Sequence, residues 1–205
     1  MLQRLLTFIA ICYSASLYSQ MIKTVQLGAI STEFIGIEIN DNEILWVAKF
    51  PLSSKHVRQS ARHSALITTV HKAEEFLKTY STKEMTLRLP TEKEWELFAG
   101  ISQEPYYPWK QTNDAEDYCW HNQNTKSSQP FGLRQPNSRG IYEVYGNHWE
   151  FLSTPHGPYN RKLRGGCFRS GVNETLFSTF TWSMNIQNPY TSFRPVFTEK
   201  RIHFQ

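Results

Sequence analysis

Arg88-Leu89-Pro90-Thr91-Glu92-Lys93-Glu94-Trp95-Glu96 carries the strongest local signal in the chain. The Thr91 hydroxyl can accept from the amide of Glu94 while the Glu94 carboxylate reaches back, the reciprocal capping box that starts a helix. Trp95, Phe98 and Ala99 then share one face, and Gly100 stands where a left-handed residue ends the helix. Upstream, Thr69 can cap a helix whose apolar positions Val70, Ala73, Phe76, Leu77 and Tyr80 follow the i, i+3, i+4, i+7 rule and which ends near Ser81. Earlier still, Phe34-Ile35-Gly36-Ile37-Glu38-Ile39 and Ile44-Leu45-Trp46-Val47, separated by Asn40-Asp41-Asn42-Glu43, predict a β-hairpin. Residues 51–64 are basic, polar and poorly patterned. Downstream, Pro105, Pro108, Pro130, Pro136, Pro155, Pro158 and Pro189 forbid long helices and permit short strands and loops. The pattern predicts an α+β fold, with two early helices followed by a loop-rich part of short antiparallel strands.

With 205 residues, 40% of them hydrophobic and 14% aromatic, the chain can bury a real core, which excludes disorder throughout. A net charge of +4, with Lys and Arg scattered rather than striped, argues against a nucleic-acid partner. Residues 1–19 hold one charge, Arg4, then the apolar run Leu5 to Ile11 and small residues up to Ser19, which reads as a secretory signal peptide. The run is too short for a comfortable membrane span, and the context Ile9-Ala10-Ile11-Cys12 puts a bulky Ile where a lipoprotein signal wants a small residue. A start at Met21 would give a cytosolic protein instead. Residues 20–205, free of linkers and repeats, read as a single domain that is secreted, periplasmic or held in the cell envelope. It keeps two cysteines, Cys119 and Cys167, which either pair or sit as small buried hydrophobes.

Further motifs extend the pattern: Tyr107-Pro108-Trp109; Gln135-Pro136-Asn137 leading to Gly140-Ile141-Tyr142; Gly146-Asn147-His148-Trp149-Glu150; Leu163-Arg164-Gly165-Gly166; and Ser192-Phe193-Arg194-Pro195-Val196. Taken in order with the segment from Arg88 to Glu96, they resemble the formylglycine-generating-enzyme, or sulfatase-modifying-factor, family. The resemblance implies a compact variant of the C-type-lectin-like fold with a shortened N-terminal half. In such a scaffold Trp95, Trp109, Trp149 and Phe193 read as core aromatics. Gly146, Gly165 and Gly166 read as places where a Cβ would clash or φ is positive. Arg88, Arg164 and Arg194 read as forks pinning loops to buried carboxylates or carbonyls.

Catalytic members of that family follow the glycine pair with a serine and then two cysteines that hold copper. Aligned on Gly165-Gly166, this chain has Cys167 at the serine, Ser170 at the first cysteine and Thr175 at the second. Hydroxyls are poor Cu(I) ligands, so copper is not expected. The seven histidines show no zinc spacing, no phosphate loop or nucleophile elbow is present, and the paired carboxylates Glu92 and Glu94 are explained by the helix dipole. The resemblance further implies a structural Ca²⁺ held by the carboxylates of Glu143 and Glu150 and the carbonyls of Gly146 and His148, with Glu143 a departure from the family's shorter Asp or Asn. The expected function is a non-catalytic binding or structural module in an envelope or extracellular assembly. Its partner would be a protein or glycan at the cell surface, met by the loop from Ser170 to Tyr190 with an exposed Trp182. The alternative is an oxidoreductase acting on a sulfatase cysteine through Cys167, with or without Cys119.

Overall fold

The computed structural model describes residues 20–53, 69–101 and 114–201; the signal segment 1–19 and the Tyr107-Pro108-Trp109 motif lie outside them. The run Ile44-Leu45-Trp46-Val47 is apolar at every position because its strand is buried on both faces. Strands β1 (Ile22–Leu27), β2 (Ile30–Asn40), β3 (Glu43–Ala48) and β8 (Val196–Lys200) form an antiparallel sheet in the order β1-β2-β3-β8. Successive side chains of a strand point to opposite faces. Phe34, Ile44, Trp46 and Ala48 therefore pack with Val70, Ala73, Phe76 and Leu77 of helix α1 (Val70–Tyr80). Ile35, Ile37, Leu45 and Val47 pack on the other side with Trp95, Phe98 and Ala99 of α2 (Glu92–Ala99). Burying a large apolar side chain contributes roughly 1.5–3 kcal/mol, so the sheet with a helix on each face is the main source of cohesion.

Both helices have the predicted caps. Thr69 accepts from the Lys72 amide, and the chain leaves the helix at Ser81. Thr91 and Glu94 form the reciprocal box, and Gly100 closes α2 at φ 81. The sequence reading left three features out. β1 pairs with β2 along its whole length, Ile22 to Leu27 against Ile35 to Ile30. Two short helices, α3 (Ala115–Tyr118) and α4 (Val172–Phe177), interrupt the proline-rich half. A second sheet is not purely antiparallel: β4 (Trp149–Pro155), β5 (Asn160–Arg164), β6 (Phe180–Ser183) and β7 (Thr191–Phe193) run in the order β6-β5-β4-β7, with β4 and β7 parallel. Leu52, just past β3, exchanges backbone hydrogen bonds with Phe193 of β7, and Arg88 does so with Val196 of β8.

Candidate functional site

The loops between α3 and α4 meet around three glycines. Gly146 has φ +70, and a Cβ there would lie 2.1 Å from the Trp120 carbonyl oxygen. Its amide donates to Gly165 at 2.6 Å, and the Asn147 amide donates to Trp120 at 2.9 Å. At Gly165 a Cβ would meet the Val144 carbonyl oxygen at 2.7 Å, and at Gly166 the Thr175 Cα at 2.8 Å. Only glycine permits such approaches at these backbone angles. The Asn147 side chain accepts from the Gln129 amide and donates to the Gln129 carbonyl, tying the 129 loop to the same point.

Gly166 thereby brings Ser170 and Thr175 together, at the positions where the family's copper chemistry would need thiolates. Both are buried. The Ser170 hydroxyl accepts from the Cys167 amide at 3.1 Å and donates to the Cys167 sulfur at 3.8 Å. Thr175 donates to the Val172 carbonyl at 2.6 Å. Cys119 also belongs to this neighbourhood, although it lies on a different loop: it is hydrogen-bonded to Thr175, and burial pushes its thiol up to about 12. Cys119 and Cys167 are both buried and free, with no disulfide between them. At Cys119 that burial disfavours the thiolate a nucleophile needs.

The calcium set is drawn together in one loop, but its chemistry does not fit the ion. Glu150, completely buried, gives both carboxylate oxygens to the Arg194 guanidinium and also accepts from Trp95 Nε1 at 3.0 Å. Burial raises its carboxyl pKa, with Arg194 and Trp95 pulling against that. Glu143, at φ 55, accepts from the Gly132 amide and from Asn147 Nδ2, and burial raises its carboxyl as well. The Gly146 carbonyl accepts from the His148 amide at 2.6 Å. Ca²⁺ takes six to eight oxygen ligands; here the Glu150 carboxylate is already paired with Arg194, and the Glu143 carboxylate already accepts from Gly132 and Asn147. Among the described residues no three His, Cys, Asp or Glu side chains cluster for a metal.

The arginines do act as loop pins. Arg194 is fully buried and, besides Glu150, donates to the carbonyls of Ala48, Lys49 and Tyr142. Arg88 forks onto Glu94 at 2.7 and 2.6 Å. Arg164 reaches Glu96 at 3.3 Å and Glu92 at 3.5 Å, while Lys162 holds Glu92 at 2.5 Å. Glu92 and Glu94 are thus ion-pair partners beyond any helix-dipole role. In the Ser170–Tyr190 region Phe180, rather than Trp182, is an exposed ring among the described side chains, at 44%. Trp182 is half-buried, packs on the core and donates through Nε1 to the Ile186 carbonyl.

Sequence reasoning passed over Arg134. Its guanidinium lies flat over the Trp120 ring, 3.6 Å from the centroid. Trp120 and Arg134 come from separate loops with no shared motif, so only the folded chain could reveal the pair.

A family model described as "Sulfatase-modifying factor enzyme 1-like domain" matches residues 31–197. Two solved structures share the fold. One, Treponema denticola variable protein 1, has a TM-score of 0.71 and 14% identity, covering 86% of this chain and 98% of that one. The other, PvdO from Pseudomonas aeruginosa, has a TM-score of 0.65 and 10% identity, with 87% and 91% covered. A curated protein of Paenibacillus barcinonensis, "Chaperone protein LppX", is 29% identical over an alignment of 116 residues, with 44% of this chain and 41% of that protein covered. The match thus spans about two-fifths of that relative's length.

Proposed function

Because the chain belongs to the sulfatase-modifying factor enzyme 1-like family, we propose that it keeps the family's scaffold without its oxidase chemistry and serves as a binding or structural module in an envelope or extracellular assembly. The observation that carries this reading is the pair Ser170 and Thr175. Their hydroxyls stand where Cu(I) would need two thiolates, and both are spent on neighbouring groups of their own loop. A soft ion selects thiolate over hydroxyl, and the remaining thiols, Cys119 and Cys167, are both buried and come from different loops rather than from the Ser170 and Thr175 positions. A fold alone does not fix function, so the weight rests on this site. The likeness to a protein named a chaperone supports a role in contacting other molecules. No helix among the described residues is long and apolar enough to cross a membrane, which suits a domain exported whole; export itself rests on the signal-like residues 1–19.

The test is a Cu(I) titration of the chain from Gln20 onward against a competing chelator, followed by incubation with a cysteine-containing sulfatase peptide under oxygen. The expected result is no tight binding and no conversion of the peptide cysteine. Tight binding with turnover that is lost in Cys167→Ala would overturn the proposal and restore the oxidoreductase reading.

A further inference from the structure

We propose that the pocket beside the Arg134–Trp120 stack binds an acidic sugar, with Arg134 taking its carboxylate and Asp117 and Gln135 its hydroxyls. This deepens the binding-module reading and rests on it. The pocket has a volume of about 330 Å³ and is walled by Asp117, Gly132, Arg134, Gln135 and Tyr142, among others. Its frame is fixed. The Gln135 amide donates to the Asp117 carbonyl at 2.7 Å, clamping one wall to the other. The Tyr142 amide donates to Lys49 at 3.0 Å, and its ring stacks on Phe50 at 4.7 Å.

Arg134 is the active feature. Stacking on Trp120 fixes the plane of its guanidinium, yet among the described residues it forms no ion pair and no hydrogen bond. Arg88, Arg164 and Arg194, by contrast, each hold a carboxylate. Two buried donors of the same stack, Arg134 Nε and Trp120 Nε1, bond nothing among the described residues, although buried polar groups are nearly always paired. A planar fork held in place with its donors unused is an arrangement for bidentate capture of a carboxylate, and the ordering entropy has already been spent by the stack.

The opposite wall decides the ligand class. A simple anion would bring no donor for Asp117, an exposed acid on the same lining. An acidic protein segment would bring an apolar or aromatic anchor, but the apolar groups of this lining are Leu133, which is 61% exposed, Pro136, and a Tyr142 ring already stacked on Phe50. A sugar acid presents both signs at once: a carboxylate for Arg134 and ring hydroxyls that donate to Asp117 and exchange hydrogen bonds with the Gln135 amide.

The experiment is saturation-transfer NMR and calorimetry on the chain from Gln20 onward with three probes: D-glucuronate, D-glucose and N-acetyl-glutamate amide. D-Glucuronate is expected to bind saturably, at least about tenfold tighter than either other probe, and to weaken with added salt. Arg134→Gln should lose at least about tenfold in affinity, while Arg134→Lys, which keeps the charge but not the fork, should fall between. Both variants are read only if their melting curves match the parent. Absence of saturable D-glucuronate binding, or binding unchanged in Arg134→Gln, overturns the site; equal or tighter binding of the glutamate amide overturns the sugar assignment. None of these results bears on copper binding or turnover, so failure here leaves the non-catalytic reading to its own test.

Discussion

Replacing Glu150 by Gln removes one charge from the centre of the molecule and nearly preserves volume, so its cost isolates the pair with Arg194. Both side chains are completely buried, and the two share three contacts of 2.5–3.1 Å. After the substitution Arg194 still donates to Ala48, Lys49 and Tyr142, but its charge has no counterion. Breaking a buried pair from one side costs about 3–5 kcal/mol because an uncompensated charge remains in a low-dielectric interior. For a domain of this size 1 kcal/mol moves Tm by roughly 2–4 °C, so Glu150→Gln should lower it by roughly 6–20 °C. That is a large share of a total stability of about 5–15 kcal/mol. The assay is urea and thermal unfolding followed by circular dichroism, on Glu150→Gln, Arg194→Met and the double variant. The double variant should cost less than the sum of the two singles, since the second change removes the stranded partner. A loss below about 1 kcal/mol for Glu150→Gln, or strict additivity, would refute the argument that this pair ties the β3 end, the Tyr142 loop and β4 together.

Burial pulls the Glu94 carboxyl up, but the Arg88 fork and the Thr91 amide outweigh it and hold it below the usual carboxylate range. Its contribution is therefore complete above the ordinary carboxylate pKa and lost as pH falls through the lowered value. Glu94→Gln should cost about 1–2 kcal/mol near neutrality and flatten the acid limb of a stability-against-pH curve; a variant with the parent's acid limb would contradict this. Millimolar Ca²⁺ should leave Tm unchanged, because the Glu150 carboxylate is already bonded to Arg194 and Trp95; a rise that disappears in Glu143→Ala would reverse that conclusion. Cys119, buried and titrating at about 12, should resist iodoacetamide at neutral pH until urea unfolds the chain, as read by mass spectrometry of the labelled peptides; labelling of the folded protein would show that the thiol is reachable.

What could be read in the sequence follows the range of the interactions involved. The Thr91–Glu94 box, the Thr69 cap and the Gly100 stop are settled within four residues, and each stands as expected. The β2–β3 hairpin was legible because its turn is short and its alternation strong. β1 was not: its residues Ile22 to Gln26 alternate between exposed and half-buried, so the pattern carries little hydrophobic contrast. The parallel pairing of β4 with β7 joins Trp149 to Thr191, a contact no local pattern encodes. The arginines show the same boundary in a different form. Their role as pins follows from side-chain chemistry, but the partner does not, and the resemblance had assigned Glu150 to calcium when packing gives it to Arg194.

In the Gly166 loop the buried hydroxyls are answered from within the loop. Ser170 answers the Cys167 amide and sulfur, and Thr175 answers the Val172 carbonyl, so each buried hydroxyl is satisfied by its own loop. A thiol is a weak donor and acceptor. Installing cysteines there would exchange those bonds for poorer ones, and leaving a buried polar partner unsatisfied costs about 1–3 kcal/mol. The loop is thus tuned to packing, and its closeness to Gly166 serves the fold whether or not a metal is bound. Among the described arginines, Arg134 and Arg169 are each stacked on an aromatic ring without an ion pair, and of these two it is Arg134 whose buried Nε bonds nothing among the described residues.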